Sequence, residues 1–313
     1  MKILVTGGAG FIGSHLVDLL LAQHHQVVVL DNLSTGQLDN LPAANGALQI
    51  KVGDICNAHT VDEAASGCDA IVHLAAVASV QASVEDPCGT HQVNLVGTLN
   101  LLETARKNNI KRFVYASSAA VYGNTEEIPV CEHTPLNPLT PYAADKLAGE
   151  YYIDFYRRQY GLAPTTFRFF NIFGPRQDPS SPYSGVISIF LQRALANQPI
   201  TVFGDGEQTR DFVYVADLVR LLAQTVSTSA MTAEPMNVGN GAQTSLNQLL
   251  SAIQEMSTNR LDISHHAPRP GDIRHSCADN RRVKEQTGYH TEYTVSEGLK
   301  RTWEWMERVG TGE

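Results

Sequence analysis

The stretch that decides the fold is KILVTGGAGFIG, residues 2–13, in which a short apolar run ends at Gly7, Gly10 and Gly13. Leucines at helical spacing follow it, so the pattern predicts a strand, a glycine turn and a helix in that order. Such a turn lets the backbone approach a pyrophosphate and points the helix N-terminus at its negative charge. The next apolar run, Val27 to Leu30, is typical of a strand buried on both faces of a parallel sheet. The first unit is therefore βαβ, with a dinucleotide site at its turn.

Two acidic residues at strand ends indicate which dinucleotide this site holds. Asp31 lies 21 residues after Gly10, where a carboxylate accepts hydrogen bonds from an adenosine ribose. The same carboxylate repels a 2′-phosphate, and residues 32–34 contain no arginine to bind one. The sequence therefore favours NAD over NADP. Asp54 follows the next predicted strand, and we expect it to reach the adenine ring; the alternative is an exposed carboxylate at a strand end.

The rest of the chain continues the alternation of strands and helices. Further apolar runs alternate with helical stretches: runs at 48–52, 70–74, 113–116 and 165–170, helices at 94–106 and 144–160. This alternation predicts an α/β fold with a doubly wound parallel sheet. After Asn171, prolines and glycines break the chain into short elements, which indicates a smaller C-terminal α/β domain that binds a second ligand. We assign residues 1–170, with about 211–240, to the first domain and 171–210 with 241–313 to the second.

A tyrosine and a lysine four residues apart are the candidate catalytic pair. Tyr142 and Lys146 share a helix face, and Thr140-Pro141 predicts that the helix begins just before them. A phenol has a pKa of about 10, so a tyrosine that acts as a base near neutral pH needs positive charge around it. The helix N-terminus, the Lys146 ammonium and an oxidised nicotinamide each favour the phenolate. Alone this spacing is common, and it gains its meaning from the dinucleotide fold that precedes it.

Two serines end the strand before that helix. Ser117 and Ser118 follow the run 113–116, which puts their hydroxyls at the carboxyl edge of a parallel sheet, where ligands of this architecture bind. A serine there can hydrogen-bond the reacting oxygen and relay its proton. A helix cap or a turn is the alternative interpretation.

Charge and composition exclude other classes of function. The 313 residues include 23 Lys and Arg against 32 Asp and Glu, a net charge of −9, so neither nucleic acid nor a membrane surface is an expected partner. The apolar runs are too short to cross a bilayer and no export signal follows Met1, so we expect a cytoplasmic protein. Five scattered cysteines without a Cys-x-x-Cys pair, and no His-Glu-x-x-His, predict no metal site.

Together these residues resemble the extended short-chain dehydrogenase/reductase family, and within it the nucleotide-sugar 4-epimerases of the UDP-glucose and UDP-N-acetylglucosamine type. The resemblance covers essentially the whole chain. It is carried by TGGAGFIG (6–13), Asp31-Asn32, Gly53-Asp54, HLAA (73–76), SSAAVYG (117–123), Pro141-Tyr142 with Lys146, RFFN (168–171), FGDG (203–206) with Arg210-Asp211, and RPGD (269–272).

The resemblance implies a Rossmann domain that holds NAD tightly and a reaction without net redox change. Hydride leaves C4 of the sugar while Tyr142 takes the hydroxyl proton, the 4-keto sugar turns over, and hydride returns to its other face. Ser118 is then the proton relay with Ser117 beside it, and Lys146 activates Tyr142 and binds ribose. The implied cofactor residues are Gly7, Gly10, Phe11, Ile12, Gly13, Asp31, Asn32, Asp54, Ile55, Leu74, Ala75, Ala76, Tyr142, Lys146 and Phe169. The implied substrate residues are Ser118, Tyr142, Asn171, Val186, Phe203, Arg210, Arg269, Asp272 and Ser276.

Three positions at which this sequence is compared with the family pattern refine this expectation. Related dehydratases and decarboxylases carry acidic residues after the catalytic hydroxyl, whereas this chain has Ala119 and Ala120, which disfavours their chemistry. The residue before Lys146 is unexpectedly Asp145, which we expect to point elsewhere, with an effect on Lys146 left open. The family's size gate corresponds to the small Ser276, which predicts activity on UDP-GlcNAc and UDP-GalNAc, alongside UDP-Glc and UDP-Gal.

Other interpretations stay open at this point. The chain could be an epimerase of UDP-Glc and UDP-Gal only, a nucleotide-sugar reductase on the same scaffold, or a non-catalytic nucleotide-sensing module. The resemblance also implies a homodimer that forms through the two long helices, 94–106 and 144–160.

Overall fold

The computed structural model describes residues 1–178, 185–228, 233–268 and 273–311. Its strands are β1 (Lys2–Thr6), β2 (Gln26–Asp31), β3 (Leu48–Val52), β4 (Ala70–His73), β5 (Arg112–Ser118), β6 (Ala163–Phe169), β7 (Asn171–Phe173), β8 (Ile200–Phe203), β9 (Thr209–Arg210), β10 (Phe212–Tyr214), β11 (Met236–Val238), β12 (Thr244–Ser245) and β13 (Ile263–His266). Its α-helices are α1 (Phe11–Ala22), α2 (Ala58–Ala65), α3 (Val80–Glu85), α4 (Pro87–His91), α5 (Gly97–Lys107), α6 (Pro141–Tyr160), α7 (Val186–Leu195), α8 (Val215–Ser227), α9 (Leu246–Met256), α10 (Arg281–Thr287) and α11 (Val295–Thr311).

Seven parallel strands form the central sheet in the order β11-β6-β5-β4-β1-β2-β3. From β1 the chain first builds outward through β2 and β3, then crosses to the other side of β1 with β4. The order of strands therefore reverses between β1 and β4. In open α/β sheets of this kind, the crevice at the carboxyl ends beside this reversal is where ligands bind. The predicted doubly wound sheet is confirmed.

The central strands of the sheet are buried on both faces, which explains the apolar runs in β1, β2 and β4, whereas the edge strand β3 is partly exposed. On one face, Leu4, Ile71 and Phe113 pack with side chains of α2, α5 and α6. On the other face, Ile3 and Val72 belong to a larger core that continues without interruption into α1, α7, α8, α9 and α11. The C-terminal elements therefore share their core with the sheet.

Residues after Asn171 both extend the sheet and build a looped region beside it. Strand β11 pairs with β6 in the central sheet, and α8 packs against α1. The short pairs β10-β7, β12-β9 and β13-β8 lie outside the central sheet. On these contacts we propose that residues 211–240 group with the first domain.

The first of the two long helical stretches differs in its boundaries from the prediction, whereas the second begins at Thr140-Pro141, as the sequence predicts. The predicted helix 94–106 is part of a longer helical run in which a π-helical segment, Gln92–Val96, joins α4 to α5. Helix α6 begins at Pro141, after Thr140 accepts a hydrogen bond from the Ala143 amide. It ends at Gly161, whose φ of +65° closes the helix in the left-handed conformation that glycine tolerates. No described helix is both long and apolar enough to cross a membrane.

Candidate active site

A cavity of about 400 Å³ opens at the carboxyl edge of the sheet, where the strand order reverses. Every residue predicted to bind the cofactor lines this cavity, and so do Ser117 and Ser118. Sequence reasoning missed several lining residues, namely Leu30, Ser34, Thr35, Gly53, Val77, Ala78, Val93, Ala116, Phe170, Ile172 and Gln177. Most of these residues are sequence neighbours of a predicted one. The predicted strand ends could therefore have identified them.

The glycine turn leaves no room for side chains where the backbone must approach a ligand. Gly7 has a φ of +68°, and a Cβ there would lie 2.8 Å from the Ala75 amide nitrogen. A Cβ on Gly13 would lie 2.1 Å from the Gly7 carbonyl oxygen. Helix α1 begins directly after Gly10 without a side-chain cap, so its first amides stay available to an anionic group.

Two carboxylates lie beside this turn, as predicted. Asp31 is 8% exposed, and its oxygens accept hydrogen bonds from the amides of Ala9 (2.9 Å) and Leu33 (2.8 Å). Asp54 accepts a hydrogen bond of 3.0 Å from the Asn32 side chain. Lys146 is the only cationic residue among the described residues that line the cavity. A glycine turn for a pyrophosphate, carboxylates for ribose and adenine, and no cation for a 2′-phosphate fit NAD.

Tyr142, Lys146 and Ser118 line the same cavity as the glycine turn and the two carboxylates. Tyr142 lies in the first turn of α6 and forms a hydrogen bond with the Ser118 side chain. Lys146 Nζ lies 5.9 Å from the centroid of the Tyr142 ring and donates a hydrogen bond of 2.8 Å to the Ala116 carbonyl oxygen. The arrangement combines a proton acceptor, a proton relay and a fixed positive charge.

The electrostatics of the pair differ from the sequence-based expectation in one respect. Burial raises the pKa of Tyr142, and the hydrogen bond from Ser118 opposes this rise only in part. Burial also lowers the pKa of Lys146 to about 8, against the opposing effect of Asp145. The expectation considered only the charges that favour the phenolate, whereas burial of the phenol acts against them. Further positive charge is needed, as the oxidised nicotinamide of NAD supplies when it is bound.

The two serines have different partners. Ser117 is buried, and its hydroxyl donates a hydrogen bond to Glu150 on α6. Arg168 on β6 holds the same carboxylate through two hydrogen bonds of 2.9 and 2.6 Å. Only Ser118 of the two serines therefore has its hydroxyl beside Tyr142. Glu150 and Arg168 were missed as site residues, although Glu150 lies four residues after Lys146 on the same helix face.

Asp145 turns away from the cavity, as expected for a residue adjacent to Lys146. Its Oδ1 accepts a hydrogen bond of 2.8 Å from His91 Nδ1, at the end of α4. The side chain is nevertheless buried between these helices.

Of the predicted substrate residues, Ser118 and Tyr142 line this cavity, whereas the described others do not: Asn171, Val186, Phe203, Arg210 and Ser276. Asn171 begins β7 and donates to the Asp211 carbonyl oxygen, while Val186 begins α7 and Phe203 ends β8. Arg210 and Ser276 are neighbours, because the Arg210 side chain and the Ser276 amide both donate to the Thr209 carbonyl oxygen, at 2.9 and 3.1 Å. Arg269 and Asp272 lie outside the described residues. Within the described ranges, no group of His, Cys, Asp and Glu side chains is suited to hold a metal ion.

A doubly wound parallel sheet, a glycine turn at its crossover and a Tyr-Lys pair beside it define an NAD-binding enzyme of the short-chain dehydrogenase/reductase class. The NAD dependent epimerase/dehydratase family matches residues 3–239, and the chain belongs to that family. NAD is accordingly its cofactor.

This chain is similar to known proteins over nearly its whole length. It is 41% identical to a putative UDP-glucose 4-epimerase of Methanocaldococcus jannaschii over 97% of this chain and 98% of that protein. The UDP-glucose 4-epimerase of Thermotoga maritima, solved with UDP-glucose, has a TM-score of 0.93 at 38% identity and 99% coverage of both chains. The UDP-N-acetylglucosamine 4-epimerase of Methanobrevibacter ruminantium M1, solved with UDP-N-acetylmuramic acid, has a TM-score of 0.94 at 36% identity and 98% coverage of both chains.

Proposed function

We propose that this chain interconverts the C4 epimers of UDP-hexoses. The observation that carries the proposal is the single cavity in which Ser118, Tyr142 and Lys146 lie beside the glycine turn. These three side chains can remove a proton from the sugar and return it. Next to the site of a redox cofactor, they suit a reaction whose substrate and product have the same oxidation level.

In this mechanism Tyr142 Oη takes the proton of the sugar's 4-hydroxyl and later returns it. NAD, which the glycine turn from Gly7 to Gly13 and Asp31 would hold, would supply the hydride acceptor and donor for C4. Ser118 hydrogen-bonds both Tyr142 and the reacting oxygen, which allows the proton to pass between them. The Lys146 ammonium, fixed by Ala116, stabilises the phenolate electrostatically.

The turn after Ser118 favours epimerisation over elimination or decarboxylation. Residues Ala119–Tyr122 form a short 3₁₀ turn, and its first two side chains are methyl groups. Neither can exchange a proton with C5 of the sugar, which those other reactions require.

For the sugar, we propose UDP-GlcNAc and UDP-GalNAc as the preferred pair, with UDP-Glc and UDP-Gal as additional substrates. The support is the small size of Ser276, which lies near the proposed diphosphate ligand Arg210 because both donate to the Thr209 carbonyl oxygen. A small side chain at this gate would admit an N-acetyl group. A roomy pocket excludes smaller substrates only weakly. An enzyme restricted to UDP-Glc and UDP-Gal is the alternative, and the names of two of the similar proteins favour it.

The test incubates the purified protein separately with UDP-GlcNAc and UDP-Glc, without added cofactor, and measures the C4 epimers formed. We expect both to be converted, with the higher kcat/KM for the acetylated sugar. Ser276→Tyr should remove activity on UDP-GlcNAc and keep it on UDP-Glc, and Ser276→Ala should keep both. Unchanged kcat/KM for UDP-GlcNAc in Ser276→Tyr would contradict the gate. Protein that carries no NAD and consumes added NADH would instead be a reductase.

We also propose a homodimer that forms through α5 and α6. Helix α6 exposes a row of aromatic side chains, Tyr151 at 64%, Phe155 at 45% and Tyr152 at 42%. Exposed aromatic patches of this kind are typical of protein interfaces. Sedimentation should give twice the mass of one chain, and Tyr151→Glu with Phe155→Glu should reduce it to the mass of one.

A further inference from the structure

Burial of the Asp145 carboxylate is unfavourable in free energy, and the hydrogen bonds it makes do not fully compensate for this. Its side chain is 9% exposed, and His91 Nδ1 is the donor to Oδ1. The other oxygen, Oδ2, is buried and accepts no hydrogen bond from any described residue. Because a buried carboxylate oxygen without a donor is unfavourable, its presence beside the catalytic helix turn needs a compensating interaction.

The candidate for that interaction is Lys146, the next residue along α6, which is buried as well. Lys146 is 3% exposed, and its ammonium is fixed by the Ala116 carbonyl oxygen, a dipole that carries no net charge. A desolvated ammonium loses its proton more readily than a hydrated one. A carboxylate close by, itself removed from water, opposes this loss because its field is only weakly screened.

The other titratable groups around Lys146 do not supply that charge. Tyr115 on β5 lies with its ring centroid 5.1 Å from Lys146 Nζ, and burial raises the pKa of its hydroxyl well above the usual value. His73 on β4 has its pKa lowered well below the usual value by burial and by Lys146. Both are therefore neutral near pH 7. Glu150, one turn further along α6, is paired with Arg168.

We propose that Asp145, oriented by His91, is an electrostatic positioning residue that keeps the Lys146 ammonium charged beside Tyr142. The inference rests on the proposed function, in which a charged Lys146 stabilises the phenolate. It assigns a role to the one position where the Tyr-x-x-x-Lys segment, Tyr142 to Lys146, carries an unexpected acidic side chain.

The experiment measures the titration of Lys146 directly, in the NAD-bound protein. The chain has seven lysines, so protein labelled with ¹³C at lysine Cε gives few resonances, and the one absent from Lys146→Arg is that of Lys146. Asp145→Asn should lower the titration midpoint of this resonance by about one pH unit. The alkaline limb of kcat/KM should move down with it, with KM for the UDP-sugar unchanged.

Matched variants separate charge from packing. Asp145→Glu keeps the charge and should keep the midpoint, whereas Asp145→Ala should lower it as Asn does, which provides a second reading if one variant folds poorly. Asp39→Asn, the same change at an exposed position away from α6, should leave the midpoint in place. His91→Gln keeps a donor and should have little effect, and His91→Ala should shift the midpoint in the same direction by a smaller amount.

The outcomes distinguish the inference from the proposed function. An unchanged midpoint in both Asp145→Asn and Asp145→Ala, in a protein that epimerises UDP-hexoses, overturns the inference alone. A lowered midpoint in a protein that epimerises none of them supports the electrostatic coupling and overturns the proposed function. An unchanged midpoint in His91→Ala overturns the role given to His91.

Discussion

Arg168 and Glu150 form a buried, bidentate ion pair next to the end of β5, with Nε 2.9 Å from Oε1 and Nη2 2.6 Å from Oε2. Ser117 is the register partner of Arg168 in the neighbouring strand, and its hydroxyl donates a hydrogen bond to the same carboxylate. Arg168 continues to the Tyr122 hydroxyl at 2.8 Å, which in turn donates to Asn237 on β11. The strand end that carries Ser118 is thus anchored to α6, β6 and β11 by one connected polar network.

Loss of the charge on Glu150 should destabilise the whole fold. Glu150→Gln keeps the shape but leaves the Arg168 guanidinium buried without its counter-charge, which costs about 3 kcal/mol. Thermal unfolding should therefore show a clear decrease in Tm. Glu63→Gln, the same change in an exposed ion pair between α2 and Lys51, is the control and should change Tm little. Equal Tm values for the two variants would mean that the buried pair contributes no net stability.

Removal of the Tyr142 hydroxyl should abolish turnover without loss of the cofactor. Tyr142→Phe lacks the atom that takes and returns the proton, so kcat should fall by about a thousandfold, as is typical when a general base is removed. Bound NAD, measured by absorbance after denaturation, should remain near the wild-type amount. Unchanged turnover would remove Tyr142 from the mechanism, and absence of turnover in the wild-type protein would favour a nucleotide-sensing role.

Stability should rise with pH over a window set by Lys146. Burial lowers the pKa of this lysine from 10.5 in the unfolded chain to about 8 in the folded state. Between these two values the unfolded state binds more protons, so the free energy of unfolding increases as pH rises, by up to about 3 kcal/mol. Urea titrations at pH 7.5 and 10 should reveal this increase in the wild-type protein relative to Lys146→Met, in which the group is absent. If the free energy of unfolding changes with pH by the same amount in both proteins, the pKa of Lys146 in the folded state lies near its ordinary value.

The cofactor preference should depend on the charge of Asp31. Asp31→Asn preserves the size of the side chain but weakens its hydrogen bonds to ribose hydroxyls, so Kd for NAD should rise about tenfold. The affinity for NADP should increase at the same time, because the repulsion of a 2′-phosphate is removed. Calorimetric titration of both cofactors measures the two changes, with the exposed Asp39→Asn as a control that alters neither. If NADP binding also weakens, Asp31 acts through the loop amides of Ala9 and Leu33 rather than through charge.

The amino-acid sequence by itself determined the features that depend on neighbours along the chain. The turn at Gly7 to Gly13, the carboxylate at the end of β2 and the four-residue spacing of Tyr142 and Lys146 are local patterns. Local geometry places them at a strand end or on one helix face. That all of them line one cavity also follows from the rule that parallel strands carry their ligands at the carboxyl edge.

Only the tertiary structure decided which polar groups meet across the chain and how deeply they are buried. The contacts of Ser117 with Glu150 and of His91 with Asp145 join residues 33 and 54 positions apart, and nothing in their spacing predicts them. The pKa of Tyr142 is raised because desolvation depends on every segment that covers the phenol, not on the helix that carries it. For this reason the sequence predicted the candidate catalytic groups, whereas the surrounding fold shifts their pKa values.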